Sequence, residues 1–236
     1  MKRIAVLIPG ILTPESLAAR VDHLKKFVSA DTEIKPLVFS GPVQDIKVGG
    51  DVSLLAGETR QIAIDVEKKG FDALVIHGIC DFGIEAARGA VDMPVVGLGS
   101  AVFHLASQLA DRFGVVTKSD ATIPEFSRRI KLMGCFERIT SMRPLNVKET
   151  DLLEKREEVE KKFIDIARRQ IEEEGAQLIV AGYSAILGIL SDGARNELEN
   201  SLGVPVIDGV PVALKTAEML VDLKMTHSRR AYPMFE

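Results

Sequence analysis

"GFDALVIHGI" at residues 70–79 and "GAQLIVAGYS" at residues 175–184 decide the fold. Each opens on glycine and enters a short apolar run without polar alternation, which is what a strand covered on both faces of a sheet requires. Each is followed by a helical stretch and then by a second matching pair, "MPVVGLGSAV" from Met93 and "VPVIDGVPVA" from Val204. A third pair, "RIAVLIPG" from Arg3 and "RFGVVTKS" from Arg112, precedes them. Self-similarity of this length is a repeat of whole supersecondary units, so the chain reads as one α/β half followed by another. In this register Gly78 and Tyr183 occupy the same place in their halves.

Working outward, strands are expected at 3–8, 34–39, 73–76, 95–98, 114–117, 139–143, 178–181 and 204–207. Helical periods lie between them. Leu17, Val21, Leu24 and Val28 share one face of the first helix, entered through Thr13 as N-cap and Pro14 at the first helical position. The charged segment 148–174 keeps a stripe of Leu152, Val159, Phe163 and Ile166 and predicts one long helix with a solvated face. Strands alternating with helices give parallel sheets. The expected architecture is α/β, two pseudo-symmetric halves, each a small parallel sheet flanked by helices. The first half comprises residues 1–100 with 216–236 and the second 101–215. Ligands of open parallel sheets sit beyond the carboxyl ends of the strands, so the site is expected in a cleft between the halves.

The 236 residues suffice for a sizeable core, and 46% hydrophobic with 27% charged residues is ordinary globular composition. A net charge of −4 gives no electrostatic reason for nucleic acid or an anionic membrane as partner. Two cysteines, Cys80 and Cys135, build neither a disulfide framework nor a thiolate zinc site, and four scattered histidines show no ligand spacing. "GLG" at 97–99 lacks the spacing of a dinucleotide fingerprint. From these patterns neither a metal site nor a dinucleotide site is expected. The N-terminal run breaks at Pro9-Gly10 and reads as a core strand, not a signal peptide, and no apolar stretch is long enough to span a bilayer. A cytoplasmic protein acting on a small molecule is expected.

With these residues in view, the chain resembles the aspartate/glutamate/hydantoin racemase superfamily, and within it the hydantoin and allantoin racemase branch. The resemblance rests on "SGP" at 40–42, "CDFGIEAAR" at 80–88 leading to "MPVVGLGSA" at 93–101, "RFGVVT" at 112–117, "GVPVIDGV" at 203–210 and "HSRRAYP" at 227–233. It implies two α/β halves, no cofactor, a homo-oligomer, and proton removal and return at a carbon beside a carbonyl by two cysteines, one on each face. Inversion needs a base on one side and an acid on the other, each within hydrogen-bond reach. Here the pattern departs. Aligned on Asp81-Phe82-Gly83-Ile84, the family's first cysteine falls on Gly78, and the second falls on Tyr183. The family's Asn-Pro-Asn is Ile8-Pro9-Gly10, and a glutamate usual in the branch is Ser100.

The candidate catalytic residues are therefore Tyr183, Cys80, His77 and Asp81. A phenol is a competent proton donor or oxyanion ligand, although Tyr183 also reads as an aromatic plug of the old thiol position. Cys80 reads as a reactive thiol or as a small buried space-filler. His77 reads as a base or as a hydrogen-bonded structural histidine. Asp81 stands where its own helix begins and is expected to cap it. Cys135 reads as structural. Pro9, Gly10, Ile11, Gly78, Ile79, Thr117, Lys118 and Ser184, at strand ends, are the candidate substrate contacts, with Lys118 suited to an acidic substrate. The expected function is a non-standard isomerase or a lyase, such as a decarboxylase, acting through an enolate-like intermediate on a small organic acid, hydantoin or amino-acid derivative. Arylmalonate decarboxylases of the superfamily likewise carry glycine at the first position. The rival is a homologue that binds small molecules without turnover.

Overall fold

The computed structural model describes residues 1–10, 12–41, 49–148, 151–183, 186 and 194–234. Among the described residues eight strands form, each within two residues of its expected ends. β1 (Lys2–Ile8), β2 (Thr32–Val38), β3 (Ala73–Ile76) and β4 (Val95–Gly97) make one parallel sheet in the order β2-β1-β3-β4. β5 (Phe113–Thr117), β6 (Ile139–Pro144), β7 (Ile179–Ala181) and β8 (Val206–Asp208) make a second in the order β6-β5-β7-β8. The repeat read in sequence is thus a repeat of topology: Leu7 faces Ile76 in the first sheet as Val116 faces Ala181 in the second. The central strands are buried along their unbroken apolar runs, β1 from Ile4 onward and β3, β5 and β7 throughout. Edge strand β2 instead exposes Glu33 and Lys35 and carries Pro36, whose missing N–H an edge tolerates.

The chain divides into two compact units, Met1–Ala101 with Val210–Glu236, and Val102–Gly209. In the first lie α1 (Pro14–Lys25), α2 (Gly49–Leu54), α3 (Ala56–Lys68), α4 (Ile84–Arg88) and the start of α5 (Leu98–Leu109). The second holds α6 (Ile123–Leu132), α7 (Asp151–Glu154), α8 (Arg156–Glu172) and α9 (Ala194–Leu202). The final helix, α10 (Gly209–Asp222), returns to the first unit, where Glu218 accepts hydrogen bonds from Ser29 N–H (2.7 Å) and Thr32 Oγ1 (2.6 Å) and pairs with Lys215. These partners hold the Glu218 carboxyl down at about 2 in spite of its burial.

The first helix starts at Pro14 with the Thr13 carbonyl accepting from Leu17 N–H, as expected. The single helix expected over 148–174 is corrected: it is broken at Lys155 (φ −129°, ψ 40°) into α7 and α8. Its buried stripe is Val159, Phe163, Ala167 and Gln170, while Ile166 is half-buried and the Leu152 side chain lies outside the described residues. A polar residue completes the stripe because Gln170 Nε2 donates to Val115 O (3.3 Å) and Ser141 O (3.1 Å), tying α8 to β5 and β6 above Gly114, where a side chain would strike it. A hydrophobic pattern has no means of marking such a position.

The "HSRRAYP" tail folds against the start of β4. Arg229 donates to the carbonyls of Arg88 (2.9 Å) and Val91 and pairs with Asp92, and Arg88 Nη1 donates to the Tyr232 hydroxyl (3.0 Å). His227 Nε2 accepts the Val95 N–H (2.8 Å). Burial, with Arg88 nearby, pushes the His227 imidazole down to about 4, so it is neutral and able to accept at pH 7. Among the described residues no helix is long and apolar enough to cross a membrane.

Candidate active site

The first cluster is the turn after β3. Its ladder continues one residue past the strand, because His77 N–H donates to Leu7 O (2.9 Å). Gly78 N–H then turns back to Ile76 O (3.0 Å) and Asp81 N–H to Gly78 O (3.0 Å), with Asp81 at φ 46°. Every residue from 77 to 84 is buried, Cys80 at 3% exposure and Asp81 at 1%.

Asp81 corrects one expectation. It does not cap its own helix, which begins at Ile84 behind Gly83 (φ 69°). Its carboxylate instead receives Gly99 N–H on Oδ1 (2.7 Å) and Ser100 N–H on Oδ2 (2.8 Å), closing the first turn of α5. Burial drives this carboxyl up to about 6 against the pull of those donors. The same contact explains "GLG": a side chain at Gly97 would overlap the Asp81 carboxylate, and one at Gly99 would overlap the Ile79 carbonyl.

At Gly78, where the resemblance places the first thiol, the space a side chain would enter is filled by the Phe82 ring, with Cδ1 3.0 Å from the Cβ position. Phe82 is fully buried and stands edge-on to Phe39 at 5.4 Å. Phe39 ends the run that leads to Ser40-Gly41, whose N–H groups donate to Glu58 Oε1 of α3 (2.7 and 3.1 Å). Pro9 and Gly10 follow β1 and are half-buried, Gly10 with φ 123°, and Ile11 lies outside the described residues.

The second cluster is the turn after β7. Gly182 N–H donates to Val116 O (2.8 Å), and a side chain there would press on Val115 and that carbonyl (2.8 and 3.0 Å), so only glycine brings β7 this close to β5. Tyr183 follows, 9% exposed, in a cluster with Val116, Leu145, Val159 and Phe163. Lys118 Nζ stands 5.5 Å from the centre of the Tyr183 ring. The Thr117 hydroxyl is fully buried and has no hydrogen-bond partner among the described residues. Asn146 (φ 48°) fixes the residues between: its N–H donates to Lys118 O (2.9 Å), its Oδ1 accepts Asp120 N–H (3.2 Å) and its Nδ2 donates to Asp120 Oδ2 (2.7 Å). Ser184 lies outside the described residues.

The candidate residues therefore fall into two groups. His77, Gly78, Ile79, Cys80 and Asp81 share one turn, and Thr117, Lys118 and Tyr183 gather at the other. Sequence reasoning missed Phe82, Glu58, Asn146 and the purpose of Gly97 and Gly99. The one available signal was an aromatic residue four places after a glycine that the repeat aligns with tyrosine. Cys135 packs as expected of a structural thiol, buried and accepting from Ser107 Oγ (3.5 Å). No group of three or more candidate metal ligands occurs among the described residues.

These features define a duplicated α/β protein whose polar candidates cluster at the carboxyl ends of two parallel sheets. A family model described as Asp/Glu/Hydantoin racemase matches residues 46–217. A hydantoin racemase of Rhizobium meliloti is 30% identical over 92% of this chain and 86% of its own. A hydantoin racemase of Pseudomonas sp. (strain NS671) is 34% identical over 70% of this chain, a match spanning 65% of the relative's length. The solved allantoin racemase from Klebsiella pneumoniae superposes with a TM-score of 0.84 at 26% identity, covering 100% of this chain and 95% of the other. The chain belongs to the Asp/Glu/hydantoin racemase family.

Proposed function

We propose that this chain is a cofactor-independent enzyme that acts at a carbon next to a carbonyl or carboxylate, forms an enolate-like intermediate and protonates it from one side. The substrate is a hydantoin, a small organic acid or an amino-acid derivative. One observation carries the one-sided chemistry: the side-chain space at Gly78 is taken by Phe82, whereas the equivalent Tyr183 bears an ionisable hydroxyl. Inversion by two opposed groups needs a proton-bearing atom at both places, while decarboxylation or elimination needs one. A lyase or a non-standard isomerase therefore fits better than two-thiol racemisation.

In this reading Tyr183 delivers the proton, and the strand-end residues Pro9, Gly10, Ile11, Gly78, Ile79, Thr117 and Ser184 hold the substrate's oxygens. Asp81 acts by positioning: both of its oxygens are engaged by α5, so it locks the 78–81 turn without reaching the reacting carbon. His77 and Cys80 sit within that locked turn, and Cys80 is the second candidate donor. The enzyme names of the sequence relatives lend no support to a binding-only protein.

The test is α-proton exchange and turnover in deuterated water over hydantoins, allantoin, amino acids and malonates. Tyr183→Phe is expected to lower the rate about 100-fold or more, the usual range for a lost general acid. Cys80→Ala is expected to lower it much less. Tight binding with neither exchange nor turnover on any member of the panel sinks the proposal.

A further inference from the structure

We propose that Lys118 and Tyr183 form a proton-donating couple, in which the ammonium standing over the phenol ring stabilises the phenolate left behind when Tyr183 gives up its proton. The inference rests on the role given to Tyr183 above and adds a second residue to it.

The geometry supplies the argument. Lys118 Nζ lies 5.5 Å from the ring centre, and the backbone that bears it is fixed to the segment after β6, by Thr117 O accepting Leu145 N–H (2.8 Å) and by Lys118 O accepting Asn146 N–H (2.9 Å). The ring itself is 9% exposed and packed among apolar side chains of β5, α8 and the segment after β6. Charge created on a phenol in such surroundings is poorly solvated, so a fixed cation nearby has a large effect. Besides Lys118, the charged group on the neighbouring strand is Asp208, 5% exposed and in register with Ala181; the packed residues of α8 and the post-β6 segment in this cluster are uncharged.

The step balances simply. The enolate carbon takes the hydroxyl hydrogen; the O–H bond breaks, a C–H bond forms, and the O–H electron pair stays on the phenolate oxygen beside the ammonium. Solvent returns the proton before the next turnover. In a decarboxylation, carbon dioxide has already left and the net change is one proton taken up.

The chain suits a direct test, because it has two tyrosines and no tryptophan. Ultraviolet titration of the phenolate band in wild type, with Tyr183→Phe to assign the signal, isolates Tyr183 from Tyr232. Lys118→Gln is expected to move the Tyr183 ionisation to higher pH by about one unit, the scale of a single charge at this range. The corresponding limb of the pH–kcat profile should follow it, and kcat should fall about tenfold, the rate equivalent of that shift, with KM changing less. Lys118→Arg should restore both. An unmoved ionisation overturns the proposal, and so does a rise in KM alone, which would make Lys118 a clamp for a substrate carboxylate. If no substrate on the panel turns over, the proposed function fails on that assay, while the titration still decides whether the couple exists.

Discussion

In the first unit the turn after β3 buries every side chain from residue 77 to 84, and its one carboxylate is spent on the start of α5. The turn after β7 carries at the equivalent place a tyrosine beneath a lysine, next to a buried hydroxyl without a partner among the described residues. The sheets share one strand order. Duplication thus preserved the scaffold while the strand ends diverged, one toward packing and the other toward ionisable groups. An aromatic ring occupies the corresponding space in both, reaching it from Phe82 in one unit and from the aligned residue itself in the other.

The hardest blow to this contrast is Phe82→Ala. It removes a fully buried ring that packs on Phe39 and opens a cavity beneath the Gly78 turn. A loss of about 3–5 kcal/mol in urea unfolding is expected. A loss under 1 kcal/mol would mean that the turn is not held by packing.

Asp81→Asn probes the other half of the lock. The native-state carboxyl, raised to about 6, binds its proton more tightly than an unfolded one at the ordinary aspartate value of 3.8. Between those values the folded state holds the extra proton, so this group's contribution to stability falls as pH rises, by about 3 kcal/mol across the window. The asparagine variant should lack that slope, read as the wild-type minus variant difference in unfolding free energy from pH 3.5 to 6.5. An identical slope in both proteins would show that Asp81 is solvated after all.

Gly78→Ala sharpens the comparison further. Its methyl enters space held by the Phe82 ring, at an expected cost of about 1–3 kcal/mol. Combined with Phe82→Leu, the second substitution should cost less than it does alone, since the two sites compete for one volume. Additive effects would refute that account.

These residues also mark where the sequence was legible. Continuous apolar runs and the spacing of their copies identified the eight strands of the described residues and the two halves, because burial on both faces leaves a local imprint. Asp81 and its two donors are 18 and 19 residues apart, and nothing in the local pattern distinguishes capping the next helix from capping its own. The break at Lys155 was hidden for a similar reason: a 3.6-residue stripe continues across an interruption that only backbone angles reveal. Gly78 read as an absence, and its meaning lay in a ring four residues on. Tyr183 was found because the repeat and the family alignment select the same position, but Lys118 above it depends on how β5 and β7 pair.

The smallest effect separates the two sheets at their outer strands. Val95 and Val206 open β4 and β8; the first donates its N–H to His227 Nε2 (2.8 Å) and the second to Glu199 Oε1 (3.1 Å). A depressed imidazole, at about 4 against 6.5 unfolded, contributes fully above pH 6.5 and loses its contribution as pH falls toward 4, because the unfolded chain takes the proton first. The imidazole is partly solvated, so the loss is discounted to about 1–2 kcal/mol. It runs opposite to the Asp81 slope and partly masks it in the wild-type profile, while each wild-type minus variant difference isolates its own group. A protonated imidazole also stops accepting the Val95 N–H. Hydrogen exchange should therefore show Val95 losing protection between pH 6.5 and 4 relative to its rate in His227→Gln, with the "HSRRAYP" tail released alongside it. Equal pH profiles for Val95 in the two proteins would mean that the tail is held by Arg229 and Tyr232 alone.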